Sequence, residues 1–267
     1  MPRAGAARDW RACARPIPRI DAPSIEGFER EHRRPSRPVI LRGALVPEVS
    51  LRCSIDALRE TLRGADVPAV AVDSRGLAEY STARGVPYVK RGADDVMEAH
   101  ARGDAREYVV FPIDADAPVL PTLGHEPSYG ASARWKRSRF WLAPPDVRGA
   151  LHFDLPDNLH AQLSGRKEWV LFPPRDTLQL EPHAPWSAVP NYARVDPLGE
   201  ASTDLGNAHA WHAVLEPGEM LYVPRRWWHQ ARSIDTSVGV NYWWAEGRTL
   251  CVVRSAEIFA RLRGLRL

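Results

Sequence analysis

Short apolar runs alternate with proline and glycine breaks along this chain. Seven of them read as strands: PVILRGAL (38–45), VPAVAVDS (67–74), REYVVFPID (106–114), SRFWLAPP (138–145), KEWVLFPP (167–174), GEMLYVP (218–224) and SVGVNYWW (237–244). Val, Ile, Tyr, Phe and Trp dominate them, and their spacing between turn residues predicts a β-sandwich or barrel. In the last run, alternation sends Val238, Val240 and Tyr242 to one face and Gly239, Asn241 and Trp243 to the other. Helical periodicity is confined to the edges, in SIDALRETLRG (54–64), ADDVMEAHARG (93–103) and LCVVRSAEIFARLRG (250–264), each running into a glycine. The order is a mixed N-terminal region, a strand-rich centre from about Phe140 to Trp244, and a C-terminal helix. No internal repeat or low-complexity tract suggests a solenoid or propeller.

Composition narrows this picture without changing it. Of 267 residues, 44% are hydrophobic and 26% charged, a globular balance for which one domain with a sizeable core is expected. No stretch approaches the roughly 18 apolar residues needed to span a bilayer. Residues 1–20 carry arginines but no secretory apolar run, so they read as a loose leader on a cytoplasmic protein with no membrane association. Cys13, Cys53 and Cys251 lie far apart, against a disulfide framework and against a thiolate metal site. A net charge of +3 without a long Lys/Arg block names no nucleic-acid partner. The lysines are Lys90, Lys136 and Lys167 alone, which makes each easier to weigh.

Chemistry concentrates in LHFDLPDNLHAQLSGRKEWVLFPP (151–174). His152 and Asp154 lie two apart, where strand alternation puts both on one face. His-x-Asp alone is a common accident. His229, in GEMLYVPRRWWHQ, follows a strand and a proline turn, where a neighbouring strand re-enters the same barrel mouth. Two imidazoles and a carboxylate form the facial set that suits Fe(II) and leaves positions open. The plainer reading of His229 is a cap on the cluster of Trp227 and Trp228. Lys167 moves the balance, because it opens a strand of Trp169, Val170, Leu171 and Phe172, and a buried ammonium is costly unless an anion meets it. A dicarboxylate held on the metal by one end would bring that anion at its other end. Asn158 and Asn241 are further polar candidates for the lumen, though singly each is more often a turn or ladder residue. Asp157 reads as a turn residue.

The stretches WLAPPDVRGALHFDLPDNLHAQLSGRKEWVLFPP, LEPGEMLYVPRRWWHQARS and VGVNYWW together resemble the cupin-like JmjC hydroxylases. Within them the pattern is close to the asparaginyl hydroxylase that inhibits hypoxia-inducible factor. The likeness runs from about Pro38 to Trp244. It implies a mainly β fold, a double-stranded β-helix (cupin, jelly roll) with flanking α-helices, its catalytic domain over residues 21–247 and a C-terminal helix over 248–267. It also implies Fe(II), 2-oxoglutarate as co-substrate, and O2. His152, Asp154 and His229 would hold the iron, and Lys167 would pair with the distal carboxylate of 2-oxoglutarate. Asn158 and Asn241 would contact its metal-binding end, with Trp243 walling the pocket. The chain departs from the family at Gly149, where many relatives carry a hydroxyl residue for that distal carboxylate, and at His160, where an apolar residue is usual. Pointing inward, His160 would donate to the carboxylate in place of the hydroxyl; pointing outward, it is a surface imidazole.

Family substrates range from protein side chains to tRNA bases and small metabolites, and fold does not choose among them. The preferred expectation is hydroxylation of a peptide or protein side chain. It rests on the resemblance and on aromatic and basic residues expected near the mouth: Trp135, Trp141, Trp186, Trp211, Arg225 and Arg226. For Trp141 a core position is the stronger expectation. A tRNA-base hydroxylase, a small-molecule tailoring enzyme with the strand-poor segment from Glu181 to Trp211 as a lid, and a non-catalytic metal-binding cupin scaffold are the alternatives. The last needs neither Lys167 nor the triad. The chain is expected to be a monomer, or a homodimer through its C-terminal helix.

Overall fold

The computed structural model describes residues 10–45, 49, 53–78, 87–113, 127–199, 205 and 207–262. Its strands are β1 (Arg15–Pro16), β2 (Arg19–Asp21), β3 (Val39–Arg42), β4 (Asp66–Ala71), β5 (Val89–Gly92), β6 (Glu107–Pro112) and β7 (Trp135–Ala143). They continue as β8 (His152–Phe153), β9 (Asp157–Ser164), β10 (Lys167–Phe172), β11 (Trp211–Leu215), β12 (Met220–Val223), β13 (Trp228–Ser233) and β14 (Ser237–Ala245). Each of the seven apolar runs overlaps one of these strands. Among the described residues they form a smaller sheet, in the order β1-β11-β10-β13-β8, and a larger one, β2-β3-β12-β9-β14-β7-β6-β4-β5.

The antiparallel sets β11-β10-β13-β8 and β12-β9-β14-β7 face one another as a jelly roll, the double-stranded β-helix the motifs imply. Between them lie Trp169 and Leu171 of β10, Leu221 and Val223 of β12, and Trp227. The opposite face of the larger sheet buries Leu159, Phe140, Leu142, Val238 and Val240 against Phe28, Leu58 and Met97 of the N-terminal region. The opposite face of the smaller sheet buries Val170, Phe172 and Trp228 against Trp10, Leu180 and Leu198. Apolar side chains therefore pack outward as well as inward, which leaves part of the lumen free for polar groups.

The expected helices form. Ser54 caps Ile55–Thr61 by accepting from the Ala57 amide (3.3 Å), and Gly103 ends Ala93–Arg102 in the left-handed region at φ 77°. The C-terminal helix runs Gly247–Leu262. No helix among the described residues is long and apolar enough to cross a membrane.

Two expectations need correction. Residues 10–20 are not a loose leader: Trp10 is buried, its indole donates to the Pro197 carbonyl (3.1 Å), and β1 and β2 join the two sheets. Residues 1–9 lie outside the described part. Asp157 is not an exposed turn residue but a buried carboxylate bonded by Tyr222 Oη (2.7 Å) and Arg33 Nε (3.1 Å). Trp135 donates to Glu257 of the C-terminal helix, and Trp211 packs edge-on against Trp227.

Candidate metal centre and co-substrate pocket

Strand alternation sets the inward face. Along β10 it turns Lys167, Trp169 and Leu171 inward and sends Val170 and Phe172 to the outer cluster; on β9 it turns Asn158, His160 and Gln162 inward. β8 pairs with β13 so that His152 stands directly opposite His229. Asp154 follows at the end of β8. One ligand atom from each of His152, Asp154 and His229 falls within 4.8 Å of the others. Asp154 Oδ2 lies 3.6 Å from His229 Nε2, and Oδ1 lies 4.0 Å from His152 Nε2.

Both imidazoles are pre-set for a metal. His152 Nδ1 lies 2.9 Å from the Ala150 carbonyl and His229 Nδ1 lies 2.9 Å from the Trp227 carbonyl. A carbonyl only accepts, so each Nδ1 carries the proton and each Nε2 presents its lone pair. Burial, with His152 alongside, lowers the His229 pKa to about 4, which keeps the ring neutral at pH 7. The carboxylate is oriented too: Trp243 Nε1 (2.7 Å) and Asn158 Nδ2 (3.1 Å) both donate to Asp154 Oδ2. Neutral imidazoles and a fixed carboxylate with no thiolate nearby fit Fe(II).

Asn158 and Asn241 are both brought to this centre. Because Asp154 can only accept, Asn158 turns its amide NH2 towards it and its oxygen towards Asn241, whose Nδ2 donates at 2.7 Å. Asn241 Oδ1 then faces His160 Nδ1 (2.9 Å). Each amide keeps a second N–H for another partner. Trp243 does more than wall a pocket, and Trp243→Phe should keep the ring packing while losing one donor to the ligand carboxylate. Fe(II) or Mn(II) titration of that variant should show affinity weakened about 10- to 100-fold. Unaltered metal affinity would reduce Trp243 to a wall.

His160 points inward, at 1% exposure, as one of the two readings had it. Gly239 makes the room: a Cβ there would stand 2.6 Å from His160 Cε1. Both ring nitrogens face amide oxygens, Nδ1 that of Asn241 and Nε2 that of Gln162 at 3.0 Å, while Gln162 spends its NH2 on the carbonyls of Ser164 and Gly165, so the neutral ring gives its one N–H to one of the two. Donation to a co-substrate carboxylate would therefore break a bond already made. Burial, then the nearby Lys167, drive its pKa down to about 3.

Lys167 is 3% exposed, and burial lowers its pKa to about 8, with no carboxylate pairing with it among the described residues. Its ammonium stands 5.9 Å from the Tyr108 ring centroid, a partial compensation. Left alone, a buried cation is costly, so the pocket is chemically incomplete without an anion. Tyr108, which stacks on Trp141 at 5.6 Å, is a pocket residue that the sequence does not single out. Another is Tyr192, stacked on the His152 ring at 5.2 Å from a strand-poor segment with no legible periodicity. Trp141, for which a core position was expected, packs against the buried cluster of Tyr108, Ala143 and Val147 and also stands edge-on to Trp243. Trp186 is 79% exposed.

Comparison with known proteins agrees with this geometry. A family model described as a cupin-like domain matches residues 25–249. Curated relatives include Jumonji C domain-containing protein 5 of Drosophila melanogaster, 26% identical over 85% of this chain and 59% of its own length. Lysine-specific demethylase 8 of Danio rerio is 28% identical over 86% of this chain and 58% of its own length. tRNA wybutosine-synthesizing protein 5 of Homo sapiens is 26% identical over 86% of this chain and 78% of its own length. The chain thus spans less than two thirds of the first two. These matches support the JmjC-type family as a whole; the nearer likeness to an asparaginyl hydroxylase rests on the motifs alone.

Proposed function

The chain belongs to the cupin-like, JmjC-type family, whose members are typically 2-oxoglutarate-dependent oxygenases, and from that premise we propose that it hydroxylates a C–H bond of a peptide or protein side chain. The observation that carries this reading is the buried Lys167 ammonium, unmatched by any carboxylate among the described residues, in the same lumen as a preoriented His152, Asp154 and His229. His152, Asp154 and His229 would hold Fe(II), and Lys167 would take the distal carboxylate of 2-oxoglutarate. Fe(II) with 2-oxoglutarate and O2 supplies the oxidising power: R–H, O2 and 2-oxoglutarate become R–OH, succinate and CO2. The protein's own work is orientation and dryness. Trp243 and Asn158 fix the ligand carboxylate, Asn241 and His160 brace Asn158, and the aromatic wall of Tyr108, Trp141 and Trp169 keeps water from Lys167.

The substrate class is tested by incubating protein, Fe(II) and 2-oxoglutarate with peptide, RNA and metabolite pools and searching for a mass gain of one oxygen. Modified peptides support the reading. A modified RNA base, in keeping with the name of the wybutosine-synthesizing relative, or a modified metabolite would replace it.

A further inference from the structure

A second cation on the lumen face has no carboxylate partner among the described residues. Arg139 lies on β7 directly opposite Asn241 of β14, and cross-strand partners share a face, so its side chain leaves the sheet on the side where Asn241 meets Asn158 and His160. Phe140 and Leu142, on the other face, are in the outer core. Trp141, two residues along, and Trp243, on the neighbouring strand, flank it on the lumen side. Asn241 donates to Asn158, Asn158 donates to Asp154, and Trp243 of the same strand donates to the same carboxylate, so Arg139 leaves the sheet beside the metal centre.

Other arginines of this chain are matched. Arg137, on the same strand face, pairs with Glu257 at 2.7 Å, Arg148 with Asp196 at 2.7 Å and Arg232 with Glu168 at 2.7 Å. Arg139 is only partly exposed, yet no carboxylate pairs with it among the described residues. The co-substrate does not need it, because Lys167 already offers a cation for the distal carboxylate beside Tyr108 and His160. The rim adds to the positive field. Arg226 is exposed on the turn before β13, its amide donating to the Asp154 carbonyl (2.7 Å), whereas its neighbour Arg225 lies 3.8 Å from the Asp157 carboxylate.

We propose that Arg139 is the specificity residue of this site and that it receives a carboxylate of the primary substrate, so that the hydroxylated side chain is acidic. The proposal rests on the peptide or protein reading above and deepens it. A planar guanidinium can donate two parallel N–H bonds to a carboxylate, and fixing that carboxylate beside the metal centre fixes which C–H is presented.

The test uses the full chain with Fe(II) and 2-oxoglutarate and end-capped pentapeptides of alanine bearing Asp, Glu, Asn, Gln or Lys at the centre, with free aspartate and glutamate as further probes. Succinate release and peptide mass gain are read together, and anisotropy of fluorescein-labelled peptides reads binding without turnover. The wild type should favour Asp or Glu over its amide by about tenfold or more in kcat/KM and in affinity. Arg139→Leu should erase that preference with the KM for 2-oxoglutarate unmoved, and Arg139→Glu should move it to Lys. Free aspartate or glutamate acting in place of the peptides, with the same loss in Arg139→Leu, would keep the anion assignment and discard the peptide reading. Equal use of Asp and Asn peptides by the wild type, or a rise in the KM for 2-oxoglutarate in Arg139→Leu with substrate preference intact, would overturn the proposal.

Discussion

Lys167→Met should lose 2-oxoglutarate binding by about 100-fold or more while the metal affinity stays at the wild-type value. The figure follows from removing one member of a buried charge pair, an effect of about 3–5 kcal/mol. Methionine keeps the apolar stem between Trp169 and the lumen wall, so packing changes little. The same substitution should leave the co-substrate-free protein no less stable, and should raise its melting temperature, because an uncompensated buried ammonium disappears. pH separates the two effects. The folded pKa, about 8, lies below the roughly 10.4 of an unfolded lysine, so the unfolded chain holds the extra proton between these values. Stability of the free protein should therefore rise as pH climbs from about 8 to 10. Affinity for 2-oxoglutarate should fall over the same window, by up to tenfold per unit, as the ammonium is lost. Both trends should vanish in Lys167→Met. Isothermal titration and thermal melts across pH check them, and an unchanged 2-oxoglutarate affinity in the variant would remove Lys167 from the pocket.

His152→Ala should reduce 2-oxoglutarate turnover to background. Its ring supplies one donor atom of the proposed iron site, and the remaining His229 and Asp154 cannot close the facial set. The side chain is 28% exposed and its one bond goes to a local carbonyl, so the jelly roll should melt within a few degrees of the wild type. Metal affinity should fall with activity. A folded His152→Ala protein that still turned over 2-oxoglutarate would place the reaction elsewhere.

Much of this architecture is legible in the residues, and the limits have physical causes. Alternation in SVGVNYWW separates Val238 and Val240, which the outer core buries, from Asn241 and Trp243, which meet Asn158 and Asp154. His-x-Asp and the lysine opening an apolar strand are equally plain, since both follow from period 2 and the cost of burying charge. What the residues do not carry is register. Asn158 and His160 look like polar intrusions until β9 is laid beside β14, where both meet Asn241, and Gln162 then meets His160. Asp157 passes for a turn residue because Arg33, its partner, is 124 positions away. Arg139 sits on a face that alternation defines, but its neighbours there come from distant strands. Trp10 and β1 carry too little apolar length to announce themselves, yet they complete the edge of the smaller sheet.

The central claim is that one lumen holds iron at His152, Asp154 and His229 and a dicarboxylate at Lys167. Its most direct test is succinate formed per 2-oxoglutarate consumed by the purified protein, with Fe(II), with chelator, and in His152→Ala and Lys167→Met. The account predicts stoichiometric succinate in the wild type with Fe(II), and loss to background with chelator and in both variants at sub-saturating 2-oxoglutarate. Succinate formation that survives chelation or either substitution, or a metal-loaded wild type that neither binds nor consumes 2-oxoglutarate, would contradict it.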